Sequence, residues 1–322
     1  MTPPGHATAA GQPSPESPEA RRRRHGVPLH RLRPSARALE VTKRVAIGTY
    51  NDGFTHAGNL AYLSLLTLFP FFIVAAAIAR LVGRSGDSIH AVDAFLRTVP
   101  PQVASVLQQP ILDVLQARSG SLLWFGAIVG LWTTTGFIET VRSILRQAYG
   151  IPFSRPFWEY RLGSIGLIVG SVVLTLAAFS FQVALLAAEQ FIYRVVPFLE
   201  GTARYLSIAR IAPGLALFVA LYMLFYSLTP KRYRYSKCPK WPGAALTAGW
   251  WMGTTALLPL SLDLLGGYDL TYGSLAGVMI ALIFFFVVGL GVVVGAELNA
   301  ALAETPEGGL ESDAEGKRDI AA

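Results

Sequence analysis

Charge is scarce in this chain. Of its 322 residues, 15% are Asp, Glu, Lys or Arg, while 52% are hydrophobic. A soluble domain carries about 25% charged residues. The shortfall excludes an ordinary water-facing surface and points to a membrane protein. Cysteine is scarcer still. Cys238 stands alone, which excludes an intrachain disulfide. No His or Cys cluster surrounds it, so it reads as an inert thiol rather than a zinc ligand. The five histidines are scattered, and three of them (His6, His25, His30) fall before residue 31. The sequence has no Walker loop, no G-x-S-x-G and no G-x-G-x-x-G. No enzymatic activity, cofactor or metal is therefore expected. A cleavable signal is not expected either, because HGVPLHRLRPSARALE follows the block Arg21 to Arg24 and is mostly polar.

What the chain does have is long apolar runs. Six lie near 57–80, 121–145, 162–189, 208–229, 243–264 and 272–299. A hydrocarbon core of about 30 Å needs about 20 apolar residues in a helix. The expected fold is all-α: a polytopic membrane protein with six transmembrane helices. Lys and Arg mark the cytoplasmic ends of such helices. They gather before the first run, between the second and third (Arg146, Arg155, Arg161) and between the fourth and fifth (Lys231, Arg232, Arg234, Lys237, Lys240). Both termini are therefore expected in the cytoplasm of a bacterial inner membrane.

The domain reading follows. Residues 1–36 read as a disordered basic tail, 37–303 as one six-helix membrane domain and 304–322 as a disordered acidic tail. Ala36 to Tyr50 has the pattern of a short amphipathic helix on the membrane surface. The long connection 81–120 has helical apolar spacing on both sides of Pro100 and Pro101. It is expected to form two short helices at the outer interface.

The net charge of +7 raises nucleic acid as a partner. The distribution argues against it, since the basic residues flank apolar spans or sit in the tail. The bilayer itself and its anionic headgroups are the expected partners. Homo-oligomerisation is left open.

Polar groups inside the spans are the candidate site. Asp52, His56 and Asn59 are spaced by four and three, so a continuous helix puts them on one face, with Tyr62 flanking. Such a stripe must face protein or water. It reads either as a cytoplasmic vestibule with a proton-accepting His56, or as a helix cap (Asn51, Asp52) plus an interhelical bond from Asn59. Glu139 and Arg142 are three apart at the inner end of the second span and can pair with each other. Glu297 and Asn299 end the sixth span. The three clusters are expected to converge at the inner end, as a polar pathway or gate. Pro70 reads as a kink. Gly273, Gly277, Gly291 and Gly295 read as close-packing positions, with Gly277 and Gly291 able to meet one partner helix.

Four stretches carry a resemblance. They are HAGNLAYLSLLTLFPF (56–71), FIETVRSILRQAYG in the second span, YSLTPKRYRYSKCPKWPGAA (226–245) and YGSLAGVMIALIFFFVVGLGVVVGAELNA (272–300). In this order they resemble the YihY/BrkB membrane proteins, which carry a virulence-factor label and an old ribonuclease BN label. The resemblance implies six spans and an inner-membrane location. The ribonuclease label finds no carboxylate cluster for metal in this sequence. Three readings of function follow. One is a transporter-like protein for a lipid, an envelope precursor or a small solute. Another is a membrane scaffold or interaction protein of the envelope. A nuclease is disfavoured.

Overall fold

The computed structural model describes residues 13–24, 33–81, 92–93, 95–117, 121–152, 158–174, 208–235, 238–265 and 275–303. Among the described residues there are helices and no strands. In chain order the helices are α1 (Pro18–Arg23), α2 (Pro34–Leu81), α3 (Pro101–Ala117), α4 (Ser121–Tyr149), α5 (158–174), α6 (Ile208–Leu228), α7 (Lys231–Arg234), α8 (Trp241–Leu265) and α9 (Ala276–Leu302). By length and composition, Pro34–Val74 and Ala276–Leu302 suffice to cross a membrane, and Gly214–Leu228 is a shorter apolar helix.

α2 is the axis of the fold. It runs for 48 residues without interruption, so the expected surface helix and the expected first span are one element. Pro34 opens it, where a missing N–H costs nothing. Gly53 does not break it, because that residue is buried against α9 beside Val293. Asn51 and Asp52 therefore cap no helix, as they lie well inside one. Pro70 sits within α2 and frees a carbonyl one turn back. α4 lies close there: a Cβ on Gly130 would come within 2.9 Å of the Pro70 carbonyl oxygen.

α9 packs along α2 and α8, and α4 packs along α2. Two apolar clusters result. At the end bearing Glu297, Leu60, Ile144, Leu145, Tyr149, Phe225, Tyr233, Val293 and Ala296 close together. At the Pro70 end, Phe72, Ile280 and Phe284 take up Val103, Leu107 and Ile111 from α3. α3 is one of the two short helices expected in the connection 81–120. Its apolar row, Val103, Leu107 and Ile111 at four-residue spacing, packs against α2 and α9.

Residues 13–24 also depart from expectation, since they fall in the stretch read as disordered. They are placed, and α1 docks at the Glu297 end. The reason is a set of long-range polar contacts that local composition does not reveal. Pro34 to Ala36, also read as tail, form the first residues of α2; residues 1–12, 25–32 and 304–322 lie outside the described residues.

The α8–α9 contact is built on small residues. Gly243 lies so close to Gly295 that a Cβ would overlap the Gly295 carbonyl. Thr247 donates to the carbonyls of Gly243 (2.8 Å) and Gly291 (3.1 Å). The Trp250 indole enters over Gly291 and donates to the Val287 carbonyl at 2.8 Å. Gly277 faces Val106 of α3 instead. Gly277 and Gly291 thus meet two different partners, because α3 and α8 divide the length of α9 between them. Gly273 lies outside the described residues.

Gly243→Ala is expected to destabilise the protein by about 1–3 kcal/mol through overpacking. Gly249→Ala is the control, since nothing lies within 4 Å of its added Cβ. It should be neutral or stabilising. Thermal unfolding of both purified proteins in one detergent checks the contrast.

Candidate functional site

Four elements meet at the Glu297 end around one small cavity. Its lining includes Gly48, Asp52 and His56 from α2, Gln147 from α4, Glu297 from α9 and Ser14 from the N-terminal segment. The free space for a water centre is about 10 Å³, which holds on the order of one water molecule.

Gln147 ties the α2 groups together. Its amide N–H donates to Asp52 Oδ2 at 2.8 Å, and its Oε1 lies 2.7 Å from His56 Nε2. Asp52 as a carboxylate can only accept, so the amide NH₂ must face it. The amide oxygen then faces His56, which must carry its proton on Nε2. The chain Asp52–Gln147–His56 thereby fixes the imidazole tautomer.

Glu297 is buried, with 7% of its surface exposed. Its carboxylate lies directly over Gly48, and a Cβ there would overlap both carboxylate carbon and oxygen. Ser14 Oγ donates to Glu297 Oε2 at 3.4 Å. Asp52 and Glu297 thus face one cavity. Two carboxylates so placed repel unless a proton or a cation lies between them.

The other expected members lie elsewhere. Asn59 and Tyr62 are exposed. At about 100° per residue, Asn59 is turned roughly 60° from His56, and Tyr62 roughly 120°, both toward the outer side of α2. Glu139 does not pair on its own helix. It forms an ion pair with Arg161 of α5 at 3.0 Å. Arg142 donates to the Tyr160 carbonyl at 3.1 Å and lies 5.3 Å from the centre of that ring. α5 lies across these groups, so both find partners there, and neither lines the cavity. Asn299 is buried and structural. Its Oδ1 accepts from the Gly243 N–H at 2.8 Å, and its Nδ2 donates to the Lys240 carbonyl at 3.0 Å. It therefore caps the start of α8. Of the three expected clusters, Asp52/His56 and Glu297 converge.

Gln147 and Ser14 are the members that sequence reasoning missed. Gln147 follows Asp52 and His56 by 95 and 91 residues, so no local spacing joins them. A usable signal was Gly150, one turn beyond Gln147. It has a φ of 75°, a left-handed conformation that favours glycine. Gly150 N–H bonds the Gln147 carbonyl and Ile151 N–H the Arg146 carbonyl. This Schellman turn ends α4 with Gln147 pointing at α2. Among the described residues, no group of three or more His, Cys, Asp or Glu is placed to hold a metal ion.

An all-helical bundle with apolar helices of crossing length and a polar cavity at one end is a membrane-protein architecture. The comparisons agree. The chain matches the Virulence factor BrkB family over residues 49–319 and belongs to it. It is 28% identical to a ribonuclease-like protein, YfkH, of Bacillus subtilis over 79% of this chain and 91% of that one. It is 26% identical to a UPF0761 membrane protein of Stenotrophomonas maltophilia, over 85% of this chain and 63% of that longer one. A UPF0761 membrane protein of Pseudoalteromonas translucida is also 26% identical, over 78% of this chain and 83% of that one. No solved structure matches. This is a bacterial membrane protein of the BrkB family.

Gln147→Leu should leave Asp52 and His56 without their shared partner. Both groups are half-buried, so the expected cost is about 1 kcal/mol for the lost hydrogen bonds. Asn59→Leu, on the exposed side, should cost less than about 0.5 kcal/mol. Parallel melting curves of the two variants decide it.

Proposed function

We propose that this protein is transporter-like, and that the cavity between α2, α4 and α9 is the inner mouth of its pathway. The observation that carries the reading is the placement of Asp52, His56 and Glu297 around one small cavity. Intramembrane ionisable groups are costly and mark ion and proton paths. A proton or small cation held between Asp52 and Glu297 fits that geometry. The cargo classes that suit the envelope setting are a lipid, an envelope precursor or a small solute.

The reading takes all six apolar runs as spans, with both termini in the cytoplasm of the inner membrane. The Lys and Arg distribution supports it. The Glu297 end is then cytoplasmic, and the basic segments there meet anionic headgroups. Residues 37–303 form the membrane domain in this reading. Asn59, Tyr62, Glu139 and Arg142 are left out of the pathway.

The competing reading is a scaffold of the envelope, which the well-packed glycine contacts of α8 and α9 favour. The ribonuclease-like name belongs to the Bacillus relative, and the cavity groups here suit proton or cation binding better than hydrolysis.

Proteoliposomes with a pH-sensitive dye inside separate the two readings. Under an imposed cation or proton gradient, the protein should carry a flux above empty vesicles. Asp52→Asn and Glu297→Gln should each cut that flux at least tenfold while folded protein is retained. A flux equal to empty vesicles, or one that both variants leave untouched, would leave the scaffold standing.

A further inference from the structure

The segment 13–24 occupies an unusual place. It precedes α2 in the chain, yet its Ser14 lines the cavity. Pro18 is buried, and the contacts that tie the segment to the helices are mostly polar and distant in sequence. Ser14 N–H donates to the Gln147 carbonyl at 3.0 Å, while its hydroxyl reaches Glu297. Ser17 caps α1 through the Ala20 N–H at 3.3 Å and lies against Gly150, where a Cβ would come within 2.5 Å of its hydroxyl. Glu19 accepts from Tyr233 Oη at 2.8 Å and pairs with Arg232 at 3.1 Å.

Arg21 makes the largest contribution. Its guanidinium donates to the carbonyls of Ala300 (2.8 Å), Ala301 (3.1 Å) and Ala303 (3.0 Å). These belong to the end of α9, where helical carbonyls lack intrahelical donors. A cation is also favoured there by the helix dipole. Burial pushes the Arg21 pKa down to about 10, and neighbouring Arg44 adds to the effect. Arg21 therefore stays charged at neutral pH. Arg44 donates to the Ala301 carbonyl as well, at 3.4 Å, so the end of α9 keeps one cation when Arg21 leaves.

We propose that residues 13–24 are a releasable plug, which closes the cavity by docking Ser14 on Glu297 and Arg21 on the end of α9. This rests on the reading of the cavity as the mouth of a pathway. The docked surface is built for a peptide rather than left by chance. Gly150 is the residue that leaves room for Ser17, and the Tyr233 hydroxyl is aimed at Glu19. The contact is also suited to opening. Its anchors are hydrogen bonds and ion pairs, which exchange with water, and segments held by few apolar contacts open locally. Removing the plug uncovers Glu297 to water without unpacking a helix.

Cysteine labelling tests this on the full-length chain in nanodiscs. Cys238→Ser removes the native thiol, and His56→Cys places a reporter in the cavity. A water-soluble maleimide should react slowly with this protein. Adding Arg21→Ala should raise the rate at least tenfold. Tyr233→Phe removes only one hydroxyl and should raise it by a smaller factor, which protects the test if Arg21→Ala misfolds. Fast labelling that neither change alters would overturn the plug and leave the cavity reading intact. Slow labelling in all three proteins would overturn the plug and the water-reached mouth together.

Discussion

A carboxylate has to be housed inside one of the most apolar helices of the chain, and the surrounding structure answers to it. Glu297 lies in α9 among valines and alanines. An ionised carboxylate in such a place is costly unless polar groups or water reach it. Gly48 of α2 leaves the room, Ser14 brings a hydroxyl, and the cavity admits about one water. The α2–α9 contact, which is the spine of the fold, is thus shaped at this end by one side chain. Larger residues at position 48 would force either the carboxylate or the helix away.

The same end of α9 has a second task. Asn299 lies two residues from Glu297 and turns to α8, where it satisfies both the Gly243 N–H and the Lys240 carbonyl. Helix starts leave such N–H groups unpaired. Asn299 therefore fixes the register of α8 against α9, and the glycine contacts at 243, 291 and 295 follow from that register. Neighbouring positions on one helix turn serve different ends: Glu297 faces the cavity and Asn299 faces the helix start. Their shared location at a polar helix end made them look like one cluster.

Helix type and extent were largely legible. Apolar runs fixed where α4, α6, α8 and α9 lie, and the polar face of α2 pointed at Asp52 and His56. The failures share a cause. Asn59 and Tyr62 satisfy helical spacing, but only tertiary packing decides which side of α2 is covered. Glu139 and Arg142 satisfy a three-residue pair, yet Arg161 and the Tyr160 carbonyl offered better geometry from α5. Gly277 and Gly291 share a face by periodicity, but the helices packed on that face change along its length. Composition gave residues 13–24 to disorder, because a stretch of Ser, Pro, Glu and Arg has little apolar surface to bury. Its order comes from carbonyls and hydroxyls more than a hundred residues away, which no local rule can see.

The polar network at this end is continuous. His56 and Asp52 meet through Gln147, whose carbonyl takes the Ser14 N–H, and the Ser14 hydroxyl reaches Glu297. Gln147 thus contacts the cavity groups with its side chain and the N-terminal segment with its backbone. A shift of α4 at this turn moves both at once. Coupling between two sites requires an element that each of them biases. The last turn of α4, ended sharply at Gly150, has the contacts for that role. On the proposed reading of the cavity and the plug, an occupant beside Asp52 and Glu297 is energetically linked to the docking of Ser14. By reciprocity, the docked segment in that reading acts equally on the affinity for such an occupant.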